Sequence, residues 1–153
     1  MKTGYAVGDV MTYEPVICKP DITIRKAAQI MLRNDVGSIL VIDGFLLGII
    51  TETDIVRTIV AKEQPITKTV EECMTRVSDL VTIEPENDIY DALVLMRNCD
   101  VRRLPVTNGK NLVGMITAKD ILRVKSSLIE LIQEEIFIRE EEQKLERLNE
   151  ANE

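Results

Sequence analysis

The sequence predicts an α/β (α+β) fold. In it, two related strand–helix–strand–strand–helix units pack as one module by pseudo-twofold symmetry, and a C-terminal helix follows. Three observations predict it. The element Gly48-Ile49-Ile50-Thr51-Glu52-Thr53-Asp54-Ile55 returns 66 positions later as Gly114-Met115-Ile116-Thr117-Ala118-Lys119-Asp120-Ile121. Pro20 to Met31 matches Pro85 to Met96, and Met11-Thr12 returns as Met74-Thr75. Within each copy, short apolar strands are mixed with helices that are apolar on one side, the pattern of layered sheets and helices. A repeat of about 50 residues marks a supersecondary unit that needs its neighbour to bury its apolar face.

In the first unit, Val16-Ile17-Cys18 reads as a short strand closed by Lys19-Pro20-Asp21. Thr23 caps a helix from Ile24 to Asn34, with Ala27, Ala28, Ile30 and Met31 on its buried side. Gly37 to Ile42 and Leu46 to Ile50 are two apolar strands joined by the hairpin signal Asp43-Gly44. A second helix runs from Thr51 to Lys62. The second unit repeats this order: strand Val81-Thr82-Ile83, helix Ile89 to Asn98, strands Leu104 to Thr107 and Leu112 to Ile116, then a helix from Ala118. Asn108-Gly109 marks its hairpin. The expected division is residues 8–62 for the first unit, 63–72 for the linker, 73–125 for the second unit and 126–153 for an acidic C-terminal helix or tail.

After Arg123, Val124, Leu131, Ile138 and Leu145 are spaced by seven, which favours a partner helix. The companion positions are inconsistent, because Leu128 and Ile132 are apolar whereas Glu135 and Glu142 share their side. Ser127 followed by Glu130 has capping-box spacing, so a separate helix is expected to begin there.

Composition narrows the function. With 153 residues, 45% of them hydrophobic, the chain can bury an ordinary core. No apolar run approaches the roughly 20 residues of a membrane span, and no signal-peptide stretch is present, so a cytoplasmic location and no membrane partner are expected. The odd, scattered Cys18, Cys73 and Cys99 indicate neither a disulfide framework nor a zinc knuckle, and are expected to be buried structural thiols. The chain has no histidine, which removes the commonest general base and metal ligand, so neither a catalytic residue nor a metal site is assigned. Net charge is −7, and most of it lies in residues 130–153, where nine Glu face only Arg139, Lys144 and Arg147. A near-neutral body with an acidic tail is a poor partner for nucleic acid.

The duplicated Thr-x-x-Asp lies where a strand hands over to a helix. Thr51 with Asp54, and Thr117 with Asp120, have the spacing of a capping box. The same residues can also receive a ligand: the hydroxyl and the free amides suit an anionic group, and the carboxylate can accept from two ribose hydroxyls. Arg102 and Arg103 precede Leu104-Pro105-Val106 at a strand mouth and offer bidentate donors for phosphate, or a carboxylate partner. The first unit has Gly37-Ser38 at the matching places, and Thr53 where the second has Lys119, so the two sites are unequal in charge. The cleft with Asp120 and the Arg pair is expected to be the better phosphate site.

These residues resemble the tandem CBS-domain pair, a family named for cystathionine β-synthase. The resemblance covers residues 8–123. It rests on Val-Met-Thr, Pro-Asp-x-x-Ile or Pro-Glu-x-x-Ile, Arg-Arg-Leu-Pro-Val, and the two Gly-x-Ile-Thr-x-x-Asp elements. It implies a stand-alone regulatory module, not an enzyme, whose two clefts bind AMP, ADP, ATP or S-adenosylmethionine as regulatory ligands, with no cofactor. By position, Asp54 and Asp120 would hold ribose hydroxyls, and Thr51, Thr53, Thr117 and Lys119 would lie along ribose and phosphate. Ile17 and Thr82 would flank adenine, joined by Ile39 and Leu104 through backbone and apolar contacts, with Pro105 beside them in the Arg-Arg-Leu-Pro-Val strand. Arg102 and Arg103 would neutralise phosphate. Ile17 departs from the family's usual hydroxyl residue. With 3% aromatic residues, adenine would be held by aliphatic side chains and backbone, favouring micromolar affinity, about 8 kcal/mol. The resemblance also implies a homodimer, and signalling to a protein effector is the expected output. A scaffold or dimerisation protein acting through its C-terminal helix is the alternative.

Overall fold

The local signals form the two long helices at the expected places. Thr23 caps α2 (Ile24–Asn34), its hydroxyl accepting from the Lys26 N–H at 3.2 Å, and Asp88 caps α5 (Ile89–Asn98), accepting from the Tyr90 N–H at 2.9 Å. Both exits are alike: the chain turns out at Asp35 and at Asp100, each with a φ of 52°, a left-handed conformation that Asp tolerates better than most residues. The computed structural model describes residues 1–124 and, beyond them, 133–134, 137–138, 141, 143–145 and 147. The Ser127 cap and most of the expected C-terminal helix lie outside the described residues.

The strands come as two matching hairpins. β2 (Ser38–Asp43) pairs antiparallel with β3 (Phe45–Thr51), and β5 (Arg103–Asn108) with β6 (Asn111–Thr117). A bulge falls between Val41 and Ile42 in one and between Val106 and Thr107 in the other, so even the irregularity is duplicated. Gly44 (φ 76°) and Gly109 (φ 61°) take the turns, where a side chain would be strained. β1 (Ile17–Cys18) adds in parallel to β2. Its expected counterpart over residues 81–83 is reduced to one parallel bridge, Ile83 with Val106.

Alternation along each hairpin separates two jobs. Ile39, Val41 and Ile50 face α2 and build one core with Ile24, Ala27, Met31 and Ile59. Their neighbours Leu40, Leu46 and Ile49 face the opposite way and meet Leu80, Leu112 and Met115, which joins the halves. The second core gathers Ile83, Ile89, Ala92, Met96, Leu104, Val106, Ile116 and Ile121. Each fully buried Leu or Ile contributes about 1.5–3 kcal/mol. Ala28 is a correction: it is exposed, because the buried stripe of α2 runs through Ile24, Ala27 and Met31 and Ala28 is rotated off it.

The segments that open the repeats are exchanged between the cores. α1 (Val7–Val10) packs in the second core through Val7 and Met11, held by Val7 N–H to Asn87 carbonyl at 2.8 Å and Gly8 N–H to Pro85 carbonyl at 2.9 Å. Conversely, α4 (Val70–Cys73) packs in the first core, and β4 (Thr75–Arg76) pairs with β3. Residues 66–69, expected as a linker, are tied to α2 through Ile24 N–H to Lys68 carbonyl at 2.8 Å and Arg25 N–H to Ile66 carbonyl at 3.2 Å. The helix expected from Thr51 to Lys62 is α3 (Glu52–Ile55), which widens into a π-helical turn over Val56–Val60. Its counterpart is α6 (Ala118–Leu122).

Candidate functional site

Two strand-to-helix junctions carry the duplicated chemistry, and both are capping boxes. At the first, the Thr51 hydroxyl accepts from the Asp54 N–H at 3.1 Å while Asp54 Oδ2 accepts from the Thr51 N–H at 3.0 Å. At the second the matching distances are 3.1 Å for Thr117 and 2.8 Å for Asp120. Each box fixes the rotamer of its carboxylate and leaves Oδ1 outside the reciprocal pair. A carboxylate held this way can still accept from hydroxyl donors through that second oxygen. Each helix start is also tied to the neighbouring strand mouth, by Glu52 N–H to Gly37 carbonyl at 3.0 Å and Ala118 N–H to Arg102 carbonyl at 2.9 Å.

The surroundings of the two carboxylates differ. Asp120 Oδ1 lies 3.9 Å from Arg123 Nη1, whose side chain is 81% exposed, so the pair is weak. At the first junction a Cβ on Gly37 would meet Glu52 Oε2 at 3.1 Å and Arg103 Nη1 at 3.6 Å. The backbone of Arg103 is opposite Thr117 in the β5–β6 ladder, yet its guanidinium reaches the first half. Arg103 is half-buried, whereas Arg102, Lys119 and Thr53 are exposed.

The residues expected around adenine are dispersed. Ile17 is 53% exposed on β1, opposite Leu40, and Thr82 is half-buried. Ile39 and Leu104 are fully enclosed in the two cores and Pro105 is buried, so these three offer backbone groups and no apolar side-chain surface to a ligand. A cavity of about 300 Å³ lies at the far end of the second half, lined by Thr82, Glu84, Asn87, Asp91, Leu95 and Thr107 among others; of the expected residues it takes in Thr82 alone. Sequence reasoning missed Glu52 and Arg123. Glu52 was visible as the acidic neighbour of Thr51 where the second copy has Ala118, but its proximity to Arg103 depends on how the halves pack.

The thiols are not one class. Cys73 is buried as expected, whereas Cys18 is only half-buried, and that burial pushes its thiol up to about 11. Cys99 is exposed, which corrects the expectation of a buried thiol, because it stands at the C-terminal cap of α5 beyond the buried stripe. Among the described residues no group of three His, Cys, Asp or Glu side chains is placed to hold a metal, and no helix is long and apolar enough to cross a membrane.

Comparison with known proteins shows the family. The CBS domain family model matches residues 7–61 and 70–127. The chain is 36% identical over 121 residues to an uncharacterized 17.7 kDa protein of Acidianus ambivalens, covering 76% of this chain and 71% of that one. It is 34% identical over 117 residues to the CBS domain-containing protein YhcV of Bacillus subtilis, covering 76% and 82%. Among solved structures, the CBS domain pair of protein MJ0100, in complex with 5′-methylthioadenosine and S-adenosyl-L-methionine, is similar with a TM-score of 0.70 and 29% identity, over 78% of this chain and 94% of that one.

Proposed function

Because the chain belongs to the CBS-domain family and carries the domain twice, we propose that it is a regulatory module that senses an adenosine-containing ligand. The ligand would be AMP, ADP, ATP, S-adenosylmethionine or 5′-methylthioadenosine, held at the two Thr-x-x-Asp junctions. Asp54 and Asp120 accept from ribose hydroxyls, and Thr51, Thr53, Thr117 and Lys119 lie along ribose and its 5′ substituent. Ile17 and Thr82 flank the base, with the backbone of Ile39, Leu104 and Pro105. Arg102 answers phosphate charge at the second junction, and Arg103 extends to the first.

The observation that carries this reading is the position of Arg103. A residue carried on β5 of the second half stands beside Gly37 and Glu52 of the first. A ligand at that junction touches both halves, so binding biases how they pack, and occupancy is passed to a second copy in a homodimer or to a protein effector. Binding rather than turnover is the role proposed, since each carboxylate has one oxygen committed to its own helix start and the chain has no histidine. The solved pair's two adenosine ligands support the ligand class.

A scaffold reading is favoured by one observation: Val56 and Leu122, at matching positions of the two halves, are 55% and 58% exposed and offer apolar contact to a partner. A thermal-shift panel of adenosine ligands separates the two. At 100 times its dissociation constant a ligand adds about 2.7 kcal/mol. A shift that Asp54→Asn or Asp120→Asn removes supports sensing, and no shift with any ligand at millimolar concentration leaves the scaffold.

A further inference from the structure

The duplicated motif does not require the charge difference between its copies. The first helix start reads Glu52-Thr53-Asp54 and the second Ala118-Lys119-Asp120. One presents two carboxylates, and the other a carboxylate with an ammonium. Arg103 adds its cation to the first junction, where its Nη1 and Glu52 Oε2 both flank the open side of Gly37. The ion pairs within 4.0 Å among the described residues are Arg76 with Glu71 and Arg123 with Asp120, so Glu52 and Arg103 are neighbours rather than a closed pair. A carboxylate beside the same glycine weakens the attraction that the guanidinium exerts on a third charge.

A phosphate brought to the first junction therefore meets one cation and two anions, Glu52 and Asp54. An uncharged or cationic 5′ substituent meets no such opposition. We propose that Glu52 is the specificity-determining residue of the first cleft, setting it to take adenosine ligands whose 5′ substituent is uncharged or cationic. Nucleoside phosphates are left to the second cleft, where Lys119 stands in place of Thr53. This rests on the proposed function, and it reverses the simpler expectation that arginine marks the phosphate site. Gly37 contributes by leaving the space in which both side chains sit.

The test is titration calorimetry with 5′-methylthioadenosine and AMP, in an Asp120→Asn background that leaves the first cleft to be read alone. The first cleft binds 5′-methylthioadenosine at least tenfold more tightly than AMP. Glu52→Gln keeps the side-chain shape, and because Glu52 is exposed the variant is expected to fold. It raises AMP affinity by about tenfold, equivalent to about 1.4 kcal/mol, and leaves 5′-methylthioadenosine within twofold. Adding Arg103→Met removes that gain. A Glu52→Gln variant that moves both ligands equally, or neither, overturns the role of Glu52 while the sensing function stands. A wild-type chain that binds no adenosine ligand overturns both together.

Discussion

Gly114 lies against the backbone of Thr12: a Cβ on Gly114 would stand 2.6 Å from the Thr12 carbonyl oxygen and 2.7 Å from Met11 Sδ. Gly48 meets Thr75 and Met74 in the same way in the other half. The Met-Thr opening and the glycine of Gly-x-Ile-Thr are thus repeated together because they touch, each opening segment closing over the hairpin of the half it does not precede. Gly114→Ala forces the Met11-Thr12 segment away and is expected to lower stability by about 1–3 kcal/mol, read by denaturant unfolding. An unchanged unfolding midpoint would show that the closure is loose.

The capping boxes make the choice of variant matter. Asp120→Ala removes the acceptor of the Thr117 N–H and costs about 0.5–2 kcal/mol without any ligand. Asp120→Asn keeps a carbonyl oxygen for that bond, so its stability stays within about 1 kcal/mol while the ligand-induced shift at the second cleft disappears. Equal ligand shifts in wild type and Asp120→Asn would remove Asp120 from the site.

Asp88 ties the N-terminal segment to α5. Its carboxylate accepts from the Thr3 hydroxyl at 2.6 Å, the Thr3 N–H at 2.8 Å, the Tyr90 N–H at 2.9 Å and the Gly4 N–H at 3.2 Å. Partial burial raises its pKa, but these hydrogen bonds, led by that from Thr3, outweigh it and hold the group below the usual carboxylate range. A carboxyl depressed in the folded state stabilises it above the unfolded value and loses that contribution as pH falls through the folded value. Acidification is therefore expected to loosen the N-terminal segment, visible as movement of the Thr3 and Gly4 amide signals in an NMR pH titration. In Asp88→Asn those signals should lack this acid transition.

Thiol reactivity tests how Cys18 packs against the first core. Cys99 is exposed and should alkylate first. Cys18, its thiol pushed up to about 11 by burial, holds little thiolate at pH 8 and should react at least tenfold more slowly. Mass spectrometry of partially alkylated protein reads the order, and Cys18 modified ahead of Cys99 would contradict the partial burial of the Cys18 side chain.

What was legible in the sequence was what short-range signals determine. Thr23 and the apolar spacing after it bound α2 at both ends, and the hairpin turns at Gly44 and Gly109 follow from turn chemistry. The exchange of opening segments was not legible, because the four residues Val7–Val10 are too few for a periodicity and their partners lie around residues 85–115. The site divides in the same way. The Thr51–Asp54 spacing was readable within one turn of helix, whereas the reach of Arg103 to Gly37 is fixed by the apolar contact of Leu40 and Ile49 with Leu112 and Met115.

Titration calorimetry of the wild type decides whether this chain binds an adenosine-containing ligand. With AMP, ADP, ATP, S-adenosylmethionine and 5′-methylthioadenosine offered in turn, saturable heat with a micromolar dissociation constant is expected for at least one. No heat from any of the five at millimolar concentration would contradict it.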